Sequence, residues 1–476
     1  MATKTICWFR QDLRLGDNPA LVAAAKDGEV IPVFILDEED RPLGGASKWW
    51  LHHSLAALSN SLGGLVLLRG NPLEALKKLL SETKASGITW NRSYEPHAIA
   101  RDTKVKATLG GNGISVRSFN GSVIYEPWEI KTGSGGPYKV YSPFWRAIQA
   151  KGFPAPLSSP AVNLAELHGL GEKLDDWQLL PVRPDWASGW KSNWNPGEQG
   201  AQNVLESFLN DGLDGYGELR NRPDLPNVSR LSPHIHFGEI SPRMICAKAG
   251  FHGAEFPDLS KDINKLLSQI GWRDFACHLL YHFPEIPQRN WKPAFDAYPW
   301  QENPGLLSRW QRGMTGYPMV DAGMRELWHT GYMHNRVRML VASFLVKHLR
   351  IHWREGEAWF WDTLLDADLA NNTVSWQWVT GSGADAAPYF RIFNPISQGS
   401  KFDPKGEYVR KWCPELSELP NDLIHRPFEA NAIELSEANI TLGKTYPHPI
   451  VDHKQARAAA LSSYEKVKAA SHVAQA

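Results

Sequence analysis

The chain has 476 residues, a length that predicts two domains and a connecting segment rather than one core. Its 51 basic and 51 acidic residues balance, so any nucleic-acid binding must depend on a local basic surface. No apolar run reaches the roughly 18 residues of a membrane span, and the N-terminus has no secretory pattern. The four cysteines are far apart, so we expect no disulfide framework, no zinc site and a cytoplasmic protein.

The 21 tryptophans are the unusual feature of the composition. They fit a tryptophan-rich core or a sugar-binding surface, or else a set of stacking platforms and electron carriers. Composition alone favours the first, structural interpretation.

Residues 1–130 alternate short β-rich runs with helical patterns. Ser47 is typical of a helix N-cap with Gly63 and Gly64 at the end of that helix, and Asn71 and Pro72 start the next one. Strands that alternate with helices predict a parallel, doubly wound α/β sheet with right-handed crossovers. The predicted strands are Thr5–Arg10, Val30–Leu36, Leu65–Arg69, Ile88–Asn91 and Ser115–Asn120.

The rest of the chain divides at about residue 200. Residues 131–199 are rich in helix breakers and predict a long linker with only short helical pieces. Residues 200–476 read as helices with polar connections, which predicts an all-α domain. The run after the first strand, RQDLRLGDN, is not the G-x-G-x-x-G of dinucleotide-binding sheets, so the α/β domain need not hold such a cofactor.

The run from Asp366 to Trp378 is the first candidate site. On a helix, Asp368 and Asn372 lie on one face because they are four residues apart. Trp376 and Trp378 point to nearly opposite sides, so one indole would line a cavity and the other would enter the interior. Too few oxygen ligands follow the two aspartates to make a hard-metal site. The alternative is a buried polar helix with ordinary packing tryptophans.

A second block, Tyr332–Met339, is basic and amphipathic, with Asn335 and Met339 on one face of the predicted helix. It fits a salt-bridged surface helix equally well.

A third block, Val228–Pro242, contains two helix-start signals, each a serine followed by proline. Helix starts supply free N–H groups for phosphate. His234 and His236 have no further ligands near them in sequence, so we expect no metal there.

These three blocks, together with CWFRQDLRLGDN near the start and DAAPYFRIFNP near the end, resemble the photolyase/cryptochrome family. The resemblance covers essentially the whole chain in the family's order. SPHIHFGEIS and GWRDF are similar to the class III branch of bacterial enzymes that repair cyclobutane pyrimidine dimers, a branch related to plant cryptochromes. The implied function is light-driven repair of UV-damaged DNA by reduced FAD, and we expect a monomer. The alternative is a blue-light photoreceptor without repair activity, or a DNA-binding flavoprotein that repairs nothing.

The resemblance also implies roles for individual residues around FAD. Arg338 and Asp366 form a pair beside the isoalloxazine ring, and Asp368 lies near its pyrimidine edge. Asn372 faces the flavin N5, where an amide can bond to either redox state; plant photoreceptors carry aspartate there, so asparagine favours repair. The other implied FAD contacts are Tyr216, Ser229, Arg230, Leu231, Ser232 and Arg273.

A dimer that is flipped out of the duplex needs an apolar surface to pack on, a polar contact, and side chains that bind the flanking phosphates. By resemblance, the apolar surface is Trp272, Trp378 and Met339, and the polar contact is Asn335. The phosphate-binding candidates are Arg220, Arg336 and Arg391, which would make binding salt-dependent despite zero net charge.

Gln269 departs from the dimer-repair pattern, in which a glutamate bonds to the thymine pair. Glutamine there is similar to enzymes that act on (6-4) photoproducts, but those place histidine where this chain has Asn335. Met339 also favours dimers, so we predict dimer repair with reduced quantum yield.

Two further roles follow from the resemblance. Trp376, Trp353 and Trp300 match the chain that carries electrons from the surface to oxidised FAD. The N-terminal domain implies an antenna chromophore, either 5,10-methenyltetrahydrofolate or 8-hydroxy-deazaflavin. The Tyr94–Ala98 run lacks the Asn-Glu pair of the best-known folate-binding members, yet the class III similarity still favours folate. The long polar C-terminal tail typical of photoreceptors is not found after the Val451–Lys454 run.

Overall fold

The structure is a computed structural model that describes residues 3–386 and 390–473. Its contacts divide the chain into two compact units, each assembled from separate stretches of sequence. The first comprises Met1–Asp214, Ser229–Pro284 and Leu365–Ala370, and the second comprises Gly215–Val228, Glu285–Leu364 and Asn371–Ala476. Since both are discontinuous, they do not test the division into residues 1–130, 131–199 and 200–476, which stays a prediction.

The first unit contains a parallel sheet in the order β3-β2-β1-β4-β5. All five strands lie within one residue of their predicted bounds, which confirms the doubly wound sheet. A sixth strand, which the sequence did not predict, pairs with the first two residues of β2. The strands are β1 (Lys4–Phe9), β2 (Glu29–Leu36), β3 (Val66–Arg69), β4 (Gly87–Asn91), β5 (Ser115–Phe119) and β6 (Asn163–Leu164).

The sheet forms because its central strands are apolar on both faces, as strands covered by helices on two sides require. Ile6 and Trp8 of β1, Ile31 of β2 and Ile88 of β4 are almost completely buried. Trp8 packs edge-on against Trp90, with 5.6 Å between ring centroids. The core of the first unit is therefore centred on β1 and β4, the point at which the strand order reverses.

Helices, numbered along the whole chain, cover this sheet. Asn71 caps α3 as predicted, with its side chain accepting from two backbone N–H groups, and Gly63 ends α2 in the left-handed conformation. The prediction for Ser47 was wrong, because α2 begins two residues earlier and Ser47 is buried inside it. The helices of this unit are α1 (Pro19–Asp27), α2 (Gly45–Leu62), α3 (Pro72–Thr83), α4 (Pro96–Gly110), α5 (Tyr141–Lys151), α6 (Glu198–Ser207), α8 (Ser232–His236), α9 (Pro242–Glu255) and α10 (Ser260–His282).

The segment predicted as a linker is more ordered than expected. It contains α5, a helix of three turns, as well as β6 and short 3₁₀ turns at Leu174–Trp177 and Trp190–Ser192. Trp145 of α5 packs directly on Gly271 of α10, where an added Cβ would lie 2.3 Å from the indole. This close approach fixes α5 against α10.

The second unit is helical, and no strand is found among its described residues, which confirms the all-α prediction. After α13, the backbone continues as a π-helical turn over Phe344–His348. Within residues 3–386 and 390–473, no helix has the length and apolar character needed to span a membrane. The helices are α7 (Tyr216–Leu219), α11 (Pro304–Gln311), α12 (Pro318–Thr330), α13 (Asn335–Ser343), α14 (Trp353–Thr363), α15 (Leu369–Thr380, beginning in the first unit), α16 (Pro395–Phe402), α17 (Glu407–Trp412), α18 (Ala432–Glu437) and α19 (His453–Val473).

Candidate functional site

The Asp366–Trp378 run is only partly helical. Because α15 begins at Leu369, Asp368 lies before the helix, and the predicted helical face shared by Asp368 and Asn372 was wrong. The two tryptophans differ in burial as their spacing predicts: Trp376 is 2% exposed, whereas Trp378 is half-buried and donates its indole N–H to the carbonyl of Asp385 at 3.1 Å.

In the first unit, Asp368 lies in a group of charged side chains. Its carboxylate accepts from Arg273 Nη2 at 3.2 Å and lies 3.9 Å from His236 Nδ1. Burial, followed by the charge of Asp368, raises the pKa of the nearby Glu95 to about 8. Arg273 is thus the cation paired with Asp368, while Glu95 takes up a proton near neutral pH. Asp366 is itself buried.

The Ser229–Ser232 segment has an unusual backbone. Arg230 adopts a left-handed φ of 51°, which favours glycine or asparagine, and its guanidinium lies 4.3 Å from the centroid of Trp194. The N–H of Leu231 reaches Ser229 Oγ at 3.5 Å. Both serine hydroxyls and the arginine are chemically suited to a pyrophosphate, so these residues fit the phosphates of FAD.

The first histidine of α8, His234, has hydrogen-bond partners that hold the fold together. His234 is fully buried and lies 2.5 Å from Glu239 through Nδ1. The same carboxylate accepts from the indole of Trp50 and from the N–H of Gly197. Glu239 therefore ties α8 to α2 and to the start of α6, all within the first unit.

In the second unit, the orientation of the Asn372 amide is set by Glu357 of α14. Asn372 Nδ2 donates to the Glu357 carbonyl at 3.0 Å and to its Oε1 at 2.9 Å. A carbonyl only accepts, so the amide nitrogen faces Glu357 and the amide oxygen points away. Because this amide oxygen can only accept a hydrogen bond, Asn372 in this orientation would bond to the flavin N5 only where that nitrogen carries a hydrogen. The expectation that Asn372 bonds to either redox state is therefore restricted to one of them.

The second block forms the beginning of α13. His334 is the N-cap, and its Nδ1 accepts from the N–H of Arg336 at 3.2 Å. Asn335 is exposed and Met339 half-buried, one turn apart on the helix. Arg338 donates from Nε to the carbonyl of Met333 at 2.7 Å. The helix therefore begins at Asn335, three residues after the first residue of the block. The pairing of Arg338 with Asp366 stays a prediction.

Three arginines of the second unit share one electrostatic neighbourhood. Burial, then the charges of Arg220 and Arg391, lower the pKa of Arg336. Burial, followed by the charges of Arg220, Arg336 and Arg338, lowers the pKa of His334 to about 4. The three predicted phosphate-binding residues thus form a local concentration of positive charge in a chain with no net charge. Arg391 lies within the DAAPYFRIFNP motif, of which residues 387–389 are outside the described part of the chain.

Trp272 and Gln269 lie on α10 of the first unit. The ring of Tyr141 on α5 stacks on Trp272, and its hydroxyl donates to the carbonyl of Ser268 at 2.5 Å. Gln269 Nε2 donates to Ser268 Oγ at 3.0 Å and to the carbonyl of Lys265 at 3.3 Å. The amide nitrogen of Gln269 is therefore bonded within its own helix.

The three predicted electron-transfer tryptophans lie in the second unit. Trp376 packs against Gly356 of α14, where an added Cβ would lie 2.0 Å from the indole. Trp353 is 1% exposed, and His352 connects its ring to that of Trp300, with centroid distances of 5.6 and 4.9 Å. Trp300 is half-buried, so the last member of the predicted route is its most exposed one.

At the carboxyl edge of the sheet, where ligands of such folds bind, charged side chains cover the strand-order reversal. Asp102 accepts from Arg10, from Arg101 and from the indole of Trp90, all at 2.8–3.1 Å. Both arginines lie about 5 Å from the ring of Trp8.

Sequence reasoning missed Glu357 and Tyr141, each of which orients a predicted site residue. Glu357 is separated from Asn372 by 15 positions, and Tyr141 from Trp272 by more than 100, so no local spacing indicates either contact. The aromatic residue at the start of α5 was hidden because its segment was interpreted as a linker.

Two family models match this chain: DNA photolyase over residues 5–161, and the FAD binding domain of DNA photolyase over residues 266–466. A deoxyribodipyrimidine photo-lyase of Agrobacterium fabrum is 52% identical over 478 residues, covering 98% of this chain and 99% of that protein. The chain belongs to the DNA photolyase family. Its fold class and its FAD-binding domain are therefore confirmed.

Other photolyase relatives agree with this placement. The crystal structure of a class III photolyase from Agrobacterium tumefaciens matches with a TM-score of 0.95 and 51% identity, covering 98% of each chain. Cryptochrome-1 of Arabidopsis thaliana is 38% identical over 495 residues, which cover 99% of this chain and 72% of that protein. The similarity to a class III photolyase confirms the branch that SPHIHFGEIS and GWRDF indicate.

Proposed function

We propose that the chain is a light-dependent repair enzyme that splits cyclobutane pyrimidine dimers in DNA. The observation that carries this proposal is the full-length similarity to a deoxyribodipyrimidine photo-lyase, at 52% identity. Asn372 supports repair over the cryptochrome alternative, because a neutral amide whose nitrogen is bonded to Glu357 adds no charge at the flavin.

The FAD contacts that we propose follow the resemblance to the family. Arg273 and Asp368 would hold the polar edge of the flavin, with Arg338 and Asp366 beside the ring. The phosphates and ribityl chain would be held by Tyr216 and by Ser229, Arg230, Leu231 and Ser232. When bound, reduced FAD would supply the light-driven electron transfer that splits the dimer.

The residues of the chain then bind, orient and shield the lesion. Trp272, Trp378 and Met339 give a flipped dimer an apolar surface that excludes water, and Asn335 gives it a polar contact. Gln269, whose amide nitrogen is bonded within α10, would be the side chain that approaches the bases. A lesion leaves the duplex more cheaply than an intact pair, by a few kcal/mol, which contributes selectivity.

Arg220, Arg336 and Arg391 would bind phosphates on either side of the lesion. Phosphate contacts position a protein on DNA without reading sequence, as a repair enzyme requires. Trp376, Trp353 and Trp300 would re-reduce FAD that has lost an electron.

For the antenna chromophore we propose methenyltetrahydrofolate, with deazaflavin as the alternative. Class III similarity favours the folate, although the Tyr94–Ala98 run lacks the Asn-Glu pair of the best-known folate-binding members. An absorption spectrum of the purified protein with and without denaturation distinguishes the two pigments.

The repair assay is direct. Photoreduced protein is mixed with UV-irradiated oligothymidine and illuminated with blue light, and the recovery of thymine absorbance is followed. We expect recovery only in the light. A Trp378→Ala variant should retain FAD but bind the lesion more weakly. Flavin-loaded protein that gives no recovery would contradict repair and favour a photoreceptor.

A further inference from the structure

We propose that Asn221 is a positioning residue that orients Arg336 toward a DNA phosphate without neutralising its charge. Phe402 also orients the Arg336 guanidinium, by stacking against it. This inference rests on the proposed DNA-repair function. Asn221 follows α7, Arg336 lies in the first turn of α13, and Phe402 ends α16, so three elements of the second unit meet at one guanidinium.

The hydrogen bonds of Asn221 fix its orientation. Its Oδ1 accepts from Arg336 Nη2 at 2.6 Å, and its Nδ2 donates to the carbonyl of Glu218 at 3.1 Å. Because the Glu218 carbonyl can only accept, the amide cannot turn over without losing both bonds. The oxygen of Asn221 is therefore held toward Arg336.

The other sides of the guanidinium also meet uncharged groups. Its central carbon lies 4.5 Å from the ring centroid of Phe402, and Nη1 lies 3.9 Å from the sulfur of Met339. Nε is buried and makes no hydrogen bond within the described chain. Planar stacking on an aromatic ring orients an arginine without consuming its donors.

Some other arginines of this unit have a carboxylate partner. Arg325 pairs with Glu415 at 2.7 Å, and Arg222 pairs with Asp224. By contrast, Arg336 makes no ion pair with any described residue, although Arg220 and Arg391 repel its charge. A partly buried arginine with like charges nearby and no carboxylate partner is costly in the free protein. The cost is offset when a polyanion binds.

The chemistry of position 221 follows from this arrangement. An aspartate has the same shape and also accepts from Nη2, but it would form a charge-assisted pair with Arg336 and compete with a phosphate for the same donors. Asparagine keeps the geometry and leaves the full positive charge for DNA. Asn221→Asp therefore adds charge at nearly constant shape but also loses the bond from Nδ2 to the Glu218 carbonyl, whereas Asn221→Ala loses both bonds without adding charge.

The test measures affinity for UV-irradiated oligothymidine in the dark over a series of salt concentrations. We expect Asn221→Asp to weaken binding about tenfold near 0.1 M salt and to reduce the slope of log affinity against log salt by up to about 1, the contribution of one phosphate contact. Asn421→Asp is the matched control, because Asn421 also accepts from an arginine, Arg410 at 3.0 Å, outside the arginine cluster. We expect less than a twofold change there.

Three further variants keep the test decisive. Phe402→Leu keeps an apolar side chain but removes the ring, and it should weaken binding several-fold. Flavin absorbance and the unfolding temperature report folding, and Asn221→Ala replaces Asn221→Asp if the latter does not fold. Arg336→Ala separates the two levels of the proposal. If this variant binds like the parent, the proposed DNA contact of Arg336 fails. If it binds weakly while the Asn221 variants show normal affinity and slope, the positioning role alone is overturned.

Discussion

Tyr141 of α5 stacks on Trp272 of α10 with 3.7 Å between ring centroids and 12° between planes. The Tyr141 hydroxyl is bonded to the carbonyl of Ser268, one turn before Trp272 on the same helix. The stack and the hydrogen bond together fix the plane of the indole that we propose as a wall for the lesion. A helix in the connecting segment therefore orients a residue of the proposed active site.

Replacing Tyr141 should weaken dimer binding through loss of the stack. We expect Tyr141→Leu to raise the dissociation constant for irradiated oligothymidine about two- to tenfold, since an aromatic pair contributes roughly 0.5–1.5 kcal/mol. Tyr141→Phe retains the ring and should bind nearly normally. In a Trp272→Ala background, Tyr141→Leu should have no further effect, and an additive effect would show that the tyrosine acts elsewhere.

Gln269→Glu should raise the quantum yield of dimer splitting. A carboxyl group can make a charge-assisted bond or deliver a proton, which an amide cannot. The substitution also removes the amide donor that now bonds to Lys265 and Ser268. Repair per absorbed photon, measured under single-turnover conditions, reports the effect. An unchanged yield would show that the carboxylate is dispensable.

Asn372→Asp should make the flavin harder to reduce. The new carboxylate would face Glu357 and add negative charge beside the position that we propose for N5. One such interaction, on the order of 1 kcal/mol, corresponds to roughly 40 mV in a one-electron potential. Potentiometric titration of the flavin absorbance measures the shift. Glu357→Gln is the control, because glutamine can still accept from Asn372.

Trp376→Phe should stop photoreduction of oxidised FAD under blue light in buffer with reductant. The indole is the buried first member of the proposed route, and Trp300 is its half-buried last member. Trp300→Phe should slow the same reaction. Trp177→Phe, a buried tryptophan of the first unit, should not change it. Bleaching of flavin absorbance gives the rate, and a normal rate in Trp376→Phe would remove that residue from the route.

The contribution of three histidines to stability should fall as the pH drops from about 6.5 to about 4. Burial lowers the pKa of His334, of His278 and of His352 to about 4, so these side chains are neutral when folded and take up protons when unfolded. Their contribution is complete above pH 6.5 and is lost as the pH falls toward 4, by about 3 kcal/mol for one such histidine. Denaturant unfolding at pH 7 and pH 5 measures this. Replacing His334 by asparagine, which can still cap α13, should reduce the change in stability between pH 7 and pH 5.

The sequence predicted the sheet well because its signals are local: apolar runs, proline at helix starts and glycine at helix ends. The Asn71 cap was right for this reason. The interpretation of Ser47 was wrong because a helix can begin without a side-chain cap when its own packing stabilises it, as α2 does with nine buried residues. Asp368 was placed on a helix that starts one residue later, and helix ends are the least certain part of any such pattern.

In the candidate site too, some features could be predicted from the sequence and others could not. Its residues were named by similarity to a family, but the groups that orient them were not. Glu357, Asn221 and Tyr141 act across elements that are distant in sequence, and no periodicity encodes such contacts.

The sixth strand has a consequence for how the α/β region can be separated from the rest of the chain. β6 supplies partners to Glu29 and Val30, and the N–H of Ala165 donates to the carbonyl of Val30 at 3.0 Å. A fragment that stops at residue 130 would leave this part of β2 as an open edge, the kind of surface at which strands from other chains add. The portion that can be expressed alone, or exchanged between relatives, must therefore include the chain through Ala165.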